Sequence, residues 1–236
     1  MTKKTFSKSG KNPNPRGQQK KVKVKTARKR SNSSARWLQR QLNDPYVAEA
    51  KAQGYRSRAA FKLLQLDEQL DLLKPGQNIV DLGAAPGGWT QIIIDKTKPE
   101  TTGAKIVALD ILEMEDLPGA IVMKKDFMDN DAPEELKNAL DGEKADLVIS
   151  DIAPPTIGHK QTDHLRIMSL VEAAYYFAVE VLKPDGVFVA KVFQGGAESD
   201  LLADMRKQFK KVKHIKPKAS RDDSSEIYVV GIGFRG

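Results

Sequence analysis

The chain has 236 residues, no cysteine, and 39 Lys and Arg against 31 Asp and Glu, a formal net charge of +8. The length suits one domain with an extension and allows a sizeable core. The missing cysteine excludes disulfide frameworks, thiolate metal sites and any mechanism with a cysteine nucleophile, including covalent addition to a pyrimidine ring.

The charge is concentrated at one end. Residues 1–36 hold 13 Lys and Arg and no acid, leaving 26 basic and 31 acidic groups in residues 37–236, a body of net −5. With Gly10, Pro13, Pro15 and Gly17 and almost no large apolar side chain, residues 1–36 hold too little apolar surface to offset their ordering entropy and are expected to be a disordered basic tail. The tail reads equally as a phosphate-neutralising nucleic-acid arm and as a solvated terminus. No apolar run has the length of a signal-peptide core or a membrane span, so a cytoplasmic protein with no membrane partner is expected.

Order is expected from about Trp37. Asp44 and Pro45 read as an N-cap and first helical residue and Gly54 as the stop, giving a helix over YVAEAKAQ. A second helix follows Ser57, carries Lys62 and ends before Lys74-Pro75-Gly76. Beyond it strands and helices alternate, with strands at 78–82, 105–110, 121–125, 146–151, 186–193, 211–215 and 226–234 and helices at about 89–97, 133–140, 163–182 and 198–209. About ten residues separate the last two strands, too few for a parallel crossover, so the final strand should run antiparallel. An α/β, Rossmann-like sheet of seven strands with the last reversed is the architecture of class I S-adenosylmethionine-dependent methyltransferases, although fold alone does not decide function.

The first of these strands runs into DLGAAPGGWTQ, residues 81–91. A glycine-rich turn here lets backbone approach a ligand, and the helix beginning near Trp89 offers unpaired amides. The G-x-G-x-x-G pattern of a dinucleotide site is absent, which makes a nucleotide-dependent oxidoreductase the weaker reading. Asp110 ends the second strand, where a carboxylate can accept both hydroxyls of a nucleoside ribose, and Asp126 follows the third, in reach of an adenine edge. Asp151 closes the fourth at the same rim. Lys191 lies within the apolar run FVAKVF, where an ionised lysine needs acidic neighbours or a function; Asp151 and Glu226 are the acids placed to provide the first.

These segments, SSARWLQRQLNDPYV, YRSRAAFKL, DLGAAPGGW, SDIAPP, FVAKVFQG and SSEIYVV, are ordered and well separated, and together they resemble the FtsJ/RrmJ family of ribosomal RNA 2′-O-ribose methyltransferases over nearly the whole body. The resemblance implies a catalytic Lys–Asp–Lys–Glu tetrad at Lys62, Asp151, Lys191 and Glu226, and cofactor-binding positions at Gly87, Trp89, Asp110, Asp126 and Asp151. It implies S-adenosylmethionine as cofactor and methylation of a uridine 2′-OH in the A loop of 23S rRNA within the assembled large subunit, a mechanism that requires no metal. A monomer with no DNA partner is expected, because a large ribosomal substrate can supply the extended interface. Lys191 would accept the hydroxyl proton or steer the oxygen's lone pair.

Other family members modify tRNA or messenger caps, and a non-catalytic ribosome-assembly factor is the alternative from another class, against which the full tetrad argues. One departure is Pro155, where many relatives carry Asn. Arg36, Arg40, Lys51, Arg56 and Arg58 precede Lys62 and are expected to extend the basic surface towards the site or to be a solvated helical face. The histidines read as surface or loop residues. Trp89 also reads as core packing beneath the glycine loop.

Overall fold

Short runs of β-branched residues, too apolar to face water on either side, alternate with helices that cover them. The computed structural model describes residues 22–23, 31–154, 158–193, 199–221 and 224–236. In chain order the elements are α1 (Asn32–Leu42), α2 (Pro45–Gln53), α3 (Ala60–Leu70), β1 (Ile79–Leu82), α4 (Gly88–Thr97), α5 (Pro99–Thr102), β2 (Ile106–Asp110), β3 (Ile121–Lys124), α6 (Ala132–Ala139), β4 (Ala145–Ser150), α7 (Lys160–Val181), β5 (Leu182–Phe193), α8 (Ser199–Gln208), β6 (Phe209–Ile215) and β7 (Glu226–Phe234). The sheet order is β3-β2-β1-β4-β5-β7-β6. The pairs β3-β2, β2-β1, β1-β4 and β4-β5 are parallel, and β7 runs antiparallel to both β5 and β6, as the short connection between β6 and β7 requires.

Each face of the sheet carries its own apolar layer. On one, Phe188, Ala190 and Val192 of β5 pack against α6, α7 and α8 through Leu136, Ala174, Tyr175 and Met205. On the other, Ile149, Val189, Tyr228 and Val230 pack against α3 and α4 through Leu63, Leu66, Trp89 and Ile93. Alternation along β5 sends Lys191 to this second face with Val187 and Val189. Its side chain therefore meets α3, the helix that bears Lys62. A smaller cluster of Tyr46, Ala50, Phe61 and Ala219 fastens α2 to α3 and to the β6–β7 connection.

Three expectations change. Helix α1 starts at Asn32, inside the stretch expected to be unstructured, and its first turn is capped by Ser31, whose hydroxyl accepts from the Ser34 amide at 3.3 Å. Strand β5 begins at Leu182 rather than Gly186: Leu182 already pairs with Ala145, and the Lys-Pro-Asp-Gly segment, with Asp185 at φ 67°, makes a register irregularity before Val187 pairs with Leu147. Strand β6 begins at Phe209, whose ring packs over Gly231 of β7 and against Phe234. The expected disorder of the tail falls almost wholly on residues outside the described ones, as does Pro155. Among the described residues no helix is long and apolar enough to cross a membrane.

Candidate active site

The register of three strands builds the site. Lys191 of β5 lies opposite Tyr228 of β7, and Phe193 lies opposite Glu226, so Lys191, Tyr228 and Glu226 share a face. Ser150 of β4 pairs with Ala190, which leaves Asp151 one residue beyond the strand end beside Lys191; the Asp151 amide donates to Leu82 O at 3.0 Å, fixing it at the rim. Helix α3 crosses this face and brings in Lys62.

The four tetrad residues meet as two linked pairs. Lys191 Nζ donates to the main-chain oxygen of Asp151 at 2.6 Å and lies 3.1 Å from its carboxylate Oδ1. Lys62 Nζ donates to Glu226 Oε2 at 3.1 Å. Between the pairs stands Tyr228, whose hydroxyl donates to Asp151 Oδ1 at 2.7 Å and whose ring centroid is 5.9 Å from Lys62 Nζ. Lys62 and Lys191 are 7% and 4% exposed and Tyr228 is fully buried. Lysines so enclosed persist because each has a carboxylate in contact.

Electrostatics follow from that enclosure. Burial would raise the Asp151 carboxyl, but the Lys191 and Lys62 charges and the Tyr228 hydrogen bond hold it below its usual range. Burial also opposes ionisation of Glu226, and Lys62 and Lys191 again prevail and pull it down. Both carboxylates are therefore ionised at neutral pH. Burial, with Asp151 and Glu226 nearby, pushes the Tyr228 hydroxyl well up, so it remains a donor.

Tyr228 is the residue that sequence reasoning missed. It stands two positions after Glu226 in a strand, and period-2 alternation was the available signal.

A cavity of about 660 Å³ adjoins Asp151 at the carboxyl ends of β1, β2 and β4. Gly83, Ala85, Asp110, Asp126 and Asp151 line it, with Leu109, Ile111, Leu112, Phe127 and Met128 supplying an apolar wall. Gly83 is needed here: at φ 79° it lies in the left-handed region, and a Cβ would come within 2.7 Å of the Ile152 nitrogen. The Asp110 carboxylate accepts from the Ala85 amide at 2.9 Å and the Leu112 amide at 2.8 Å, one on each oxygen. Each oxygen keeps a further lone pair for a ribose hydroxyl. Asp126 accepts from the Met128 amide at 2.9 Å, which fixes its turn at the cavity wall.

Gly87 adopts φ 103° and caps α4. Trp89 sits differently from Asp110 and Asp126: its indole is buried, donates to Ala59 O at 2.7 Å and packs 5.6 Å from the Tyr228 ring. What Trp89 presents towards the glycine loop is its backbone in the first turn of α4. The cavity's size, its glycine edge, its apolar wall and its paired acceptors fit an adenosine-bearing cofactor.

The five expected basic residues part company. Arg40 and Arg58 line a second cleft with Lys62, Arg221 and Glu226. Arg56 turns the other way, its guanidinium donating to Glu115 O at 2.7 Å, Asp116 O at 3.1 Å and Pro86 O at 3.3 Å, so it stitches the glycine loop to the loop after β2. His159 caps α7, accepting from the Thr162 amide at 3.3 Å.

A 3-2-1-4-5-7-6 sheet with a reversed seventh strand, a glycine loop after β1 and acids closing β2 and β4 defines the class I S-adenosylmethionine-dependent methyltransferase fold. Residues 55–234 match the FtsJ-like methyltransferase model, and the chain belongs to that family. It is 62% identical over 218 residues to a ribosomal RNA large subunit methyltransferase E from Paramagnetospirillum magneticum, covering 91% of this chain and 88% of the relative. A protein of the same name from Parvibaculum lavamentivorans is 55% identical over 240 residues, covering 99% of this chain and 94% of the relative. A solved Plasmodium falciparum structure named as a ribosomal RNA methyltransferase superposes with a TM-score of 0.65 at 32% identity, covering 77% of this chain and all of that one.

Proposed function

We propose that the protein methylates ribosomal RNA of the large subunit, transferring the methyl group of S-adenosylmethionine to the ribose 2′-oxygen of a uridine in the 23S A loop of the assembled subunit. It would act in the cytoplasm as a monomer. The observation that carries the reaction is Lys191 held between the carbonyl and the carboxylate of Asp151, at the edge of a cavity fit for adenosine. The names of the relatives support ribosomal RNA as the substrate.

S-adenosylmethionine, when bound, supplies a methyl group on a sulfonium sulfur that leaves as a neutral thioether. Asp110 would hold the ribose of that cofactor and Asp126 the adenine edge, with the glycine loop allowing the close approach. A ribose hydroxyl is a weak nucleophile, so the protein's task is to place its oxygen in line with the methyl–sulfur bond.

An ammonium has three donors, and Asp151 engages two of them. The third N–H of Lys191 would donate to one lone pair of the 2′-oxygen and aim the other at the methyl carbon. The new bond forms from that lone pair, the methyl–sulfur electrons stay on sulfur, and the hydroxyl proton passes to water. Asp151, ionised and in contact, holds the Lys191 Nζ where this steering needs it. The Lys62–Glu226 pair would flank the ribose on the α3 side.

The test is transfer of tritiated methyl to large subunits lacking the modification, with naked 23S rRNA and tRNA in parallel, followed by nucleoside digestion. The expected product is 2′-O-methyluridine from the subunit. Methylation of a base, or preference for tRNA, would overturn the assignment.

A further inference from the structure

We infer that α1 carries a docking face for single-stranded RNA, in which Trp37 stacks on a base and Arg40 meets a backbone phosphate beside the catalytic cleft. The inference rests on the proposed reading that the substrate is RNA, and it places a contact for that substrate on a segment outside the matched family span, which begins at Tyr55.

The cleft has a volume of about 400 Å³ and is lined by Arg40, Arg58, Lys62 and Arg221, with Glu226 the one carboxylate among its lining residues. Glu226 is already paired with Lys62, and Asp44 is shared by Arg58 at 2.9 Å and Arg221 at 3.5 Å, so the floor keeps a small positive excess and Arg40 on the lip is exposed. The positive excess suits a phosphodiester and disfavours an acidic side chain's natural partners. Gln41 also lines this cleft.

Helical spacing brings an aromatic group to the same lip. Residues three and four apart are neighbours on a helix surface, so Trp37 borders both Arg40 and Gln41. Trp37 is 53% exposed, a costly place for an indole in a chain that buries its other tryptophan to 3%. Helix α1 contains no acid, and Arg36 is exposed beside Trp37. An exposed ring next to a guanidinium is the pairing used by sequence-tolerant single-strand readers, where the ring takes a base face and the cation the backbone.

Val22, a described residue of the basic tail, meets this helix. The Val22 main-chain N–H donates to Asn43 Oδ1 at 2.7 Å, and Asn43 Nδ2 and Gln39 Nε2 donate to Val22 O, so Val22 is fastened at the C-terminal end of α1. The lip thus joins the tail's attachment point to Lys62 and Glu226. A strand lying across it would place a base over Trp37 and a ribose further along the strand at the tetrad.

The test compares the full chain with Arg40→Gln, Trp37→Ala and Trp37→Phe. Affinity for a short labelled oligouridylate is measured against salt, with S-adenosylmethionine binding as the control for folding. Arg40→Gln should reduce the slope of log K against log salt by about 0.7, the value of one single-strand phosphate contact. Trp37→Ala should weaken the oligonucleotide about tenfold with the slope kept, Trp37→Phe should restore most of that loss, and cofactor affinity should not move.

The same variants should raise KM for unmodified large subunits with little change in kcat. Wild-type slope and affinity in both Arg40→Gln and Trp37→Ala would overturn the docking face, even with normal methylation of subunits. Dependence on Arg40 and Trp37 in a protein that methylates some other RNA would sustain the face and overturn the large-subunit reading instead.

Discussion

The hydroxyl of Tyr228 and the ammonium of Lys191, opposite each other on β7 and β5, converge on one oxygen of Asp151, at 2.7 and 3.1 Å. The tyrosine hydrogen bond limits where that carboxylate can turn, and so where Lys191 can point. Tyr228 is thus a positioning residue. Tyr228→Phe keeps the ring that packs on Trp89 and removes the donor. A hydrogen bond to a charged group contributes about 1.5–3 kcal/mol, so kcat should fall roughly tenfold or more. KM for the cofactor should change little, while the unfolding temperature should drop by about several degrees because the buried bond is lost; steady-state kinetics with varied cofactor and a thermal melt check the two. A loss confined to cofactor affinity would contradict the positioning role.

Steering by a charged Lys191 and proton abstraction by a neutral one differ in their dependence on pH. Steering predicts a single-turnover rate nearly level between about pH 7 and 9, because no proton has to leave Lys191 before transfer. Abstraction predicts a rate that rises with pH, by up to about tenfold per unit, because only an amine that has lost its proton can take another. A rapid-quench profile separates them, and a sustained unit slope would overturn steering.

Asp110 both closes the cavity and holds its walls, since its two oxygens accept from Ala85 and Leu112. Asp110→Asn should therefore weaken S-adenosylmethionine by about tenfold or more, through the charge-assisted bonds it loses, while KM for RNA stays near normal. Titration calorimetry with the cofactor is the direct check. Unchanged affinity would remove Asp110 from the ribose site.

Asp81, buried beneath the glycine loop, donates nothing when ionised and accepts from the Thr90 hydroxyl at 2.7 Å. Its other oxygen has no hydrogen-bond partner among the described residues. Burial, with the Asp151 and Asp110 charges adding to it against the Thr90 hydrogen bond, pushes the carboxyl up to about 7 from 3.8. Between those values the folded chain keeps a proton that the unfolded chain has lost, so this group lowers stability as pH rises and adds no further change above about 7.

Asp151 and Glu226 act in the opposite sense: held below their usual range, they contribute stability that is lost as pH falls through their folded values. Unfolding free energies from urea titrations should accordingly decline from about pH 5 to 7 in the wild type, by at most about 1.4 kcal/mol per unit from Asp81, and Asp81→Asn should flatten that decline. The same slope in the variant would contradict the assignment.

Much of the tetrad was legible because strand alternation and strand ends are local properties. Lys191 in FVAKVF and Asp151 at the end of β4 were readable as a buried cation and a rim acid. Glu226 at the head of β7 was readable as an acid placed to pair with it. Lys62 needed the family resemblance, since nothing local says which face of α3 meets β7.

The fates of Arg56 and Arg58 were not legible. Two residues apart in sequence, they point apart, one to carbonyls near Glu115 and the other to Asp44 and the carbonyl of Ala219, and those partners are far along the chain. Trp89 shows the same limit: its place beneath the glycine loop suited both cofactor contact and packing, and its side chain was settled by Ala59 O and the Tyr228 ring.

On the proposed reading, Lys191, held by Asp151, enables methyl transfer to a ribose oxygen without serving to bind the cofactor. The most direct measurement is tritiated-methyl transfer to unmodified large subunits by Lys191→Ala, paired with its S-adenosylmethionine affinity by calorimetry. Transfer should fall by about a thousandfold or more, with cofactor affinity within about threefold of wild type. A folded Lys191→Ala protein that turns over normally would contradict it.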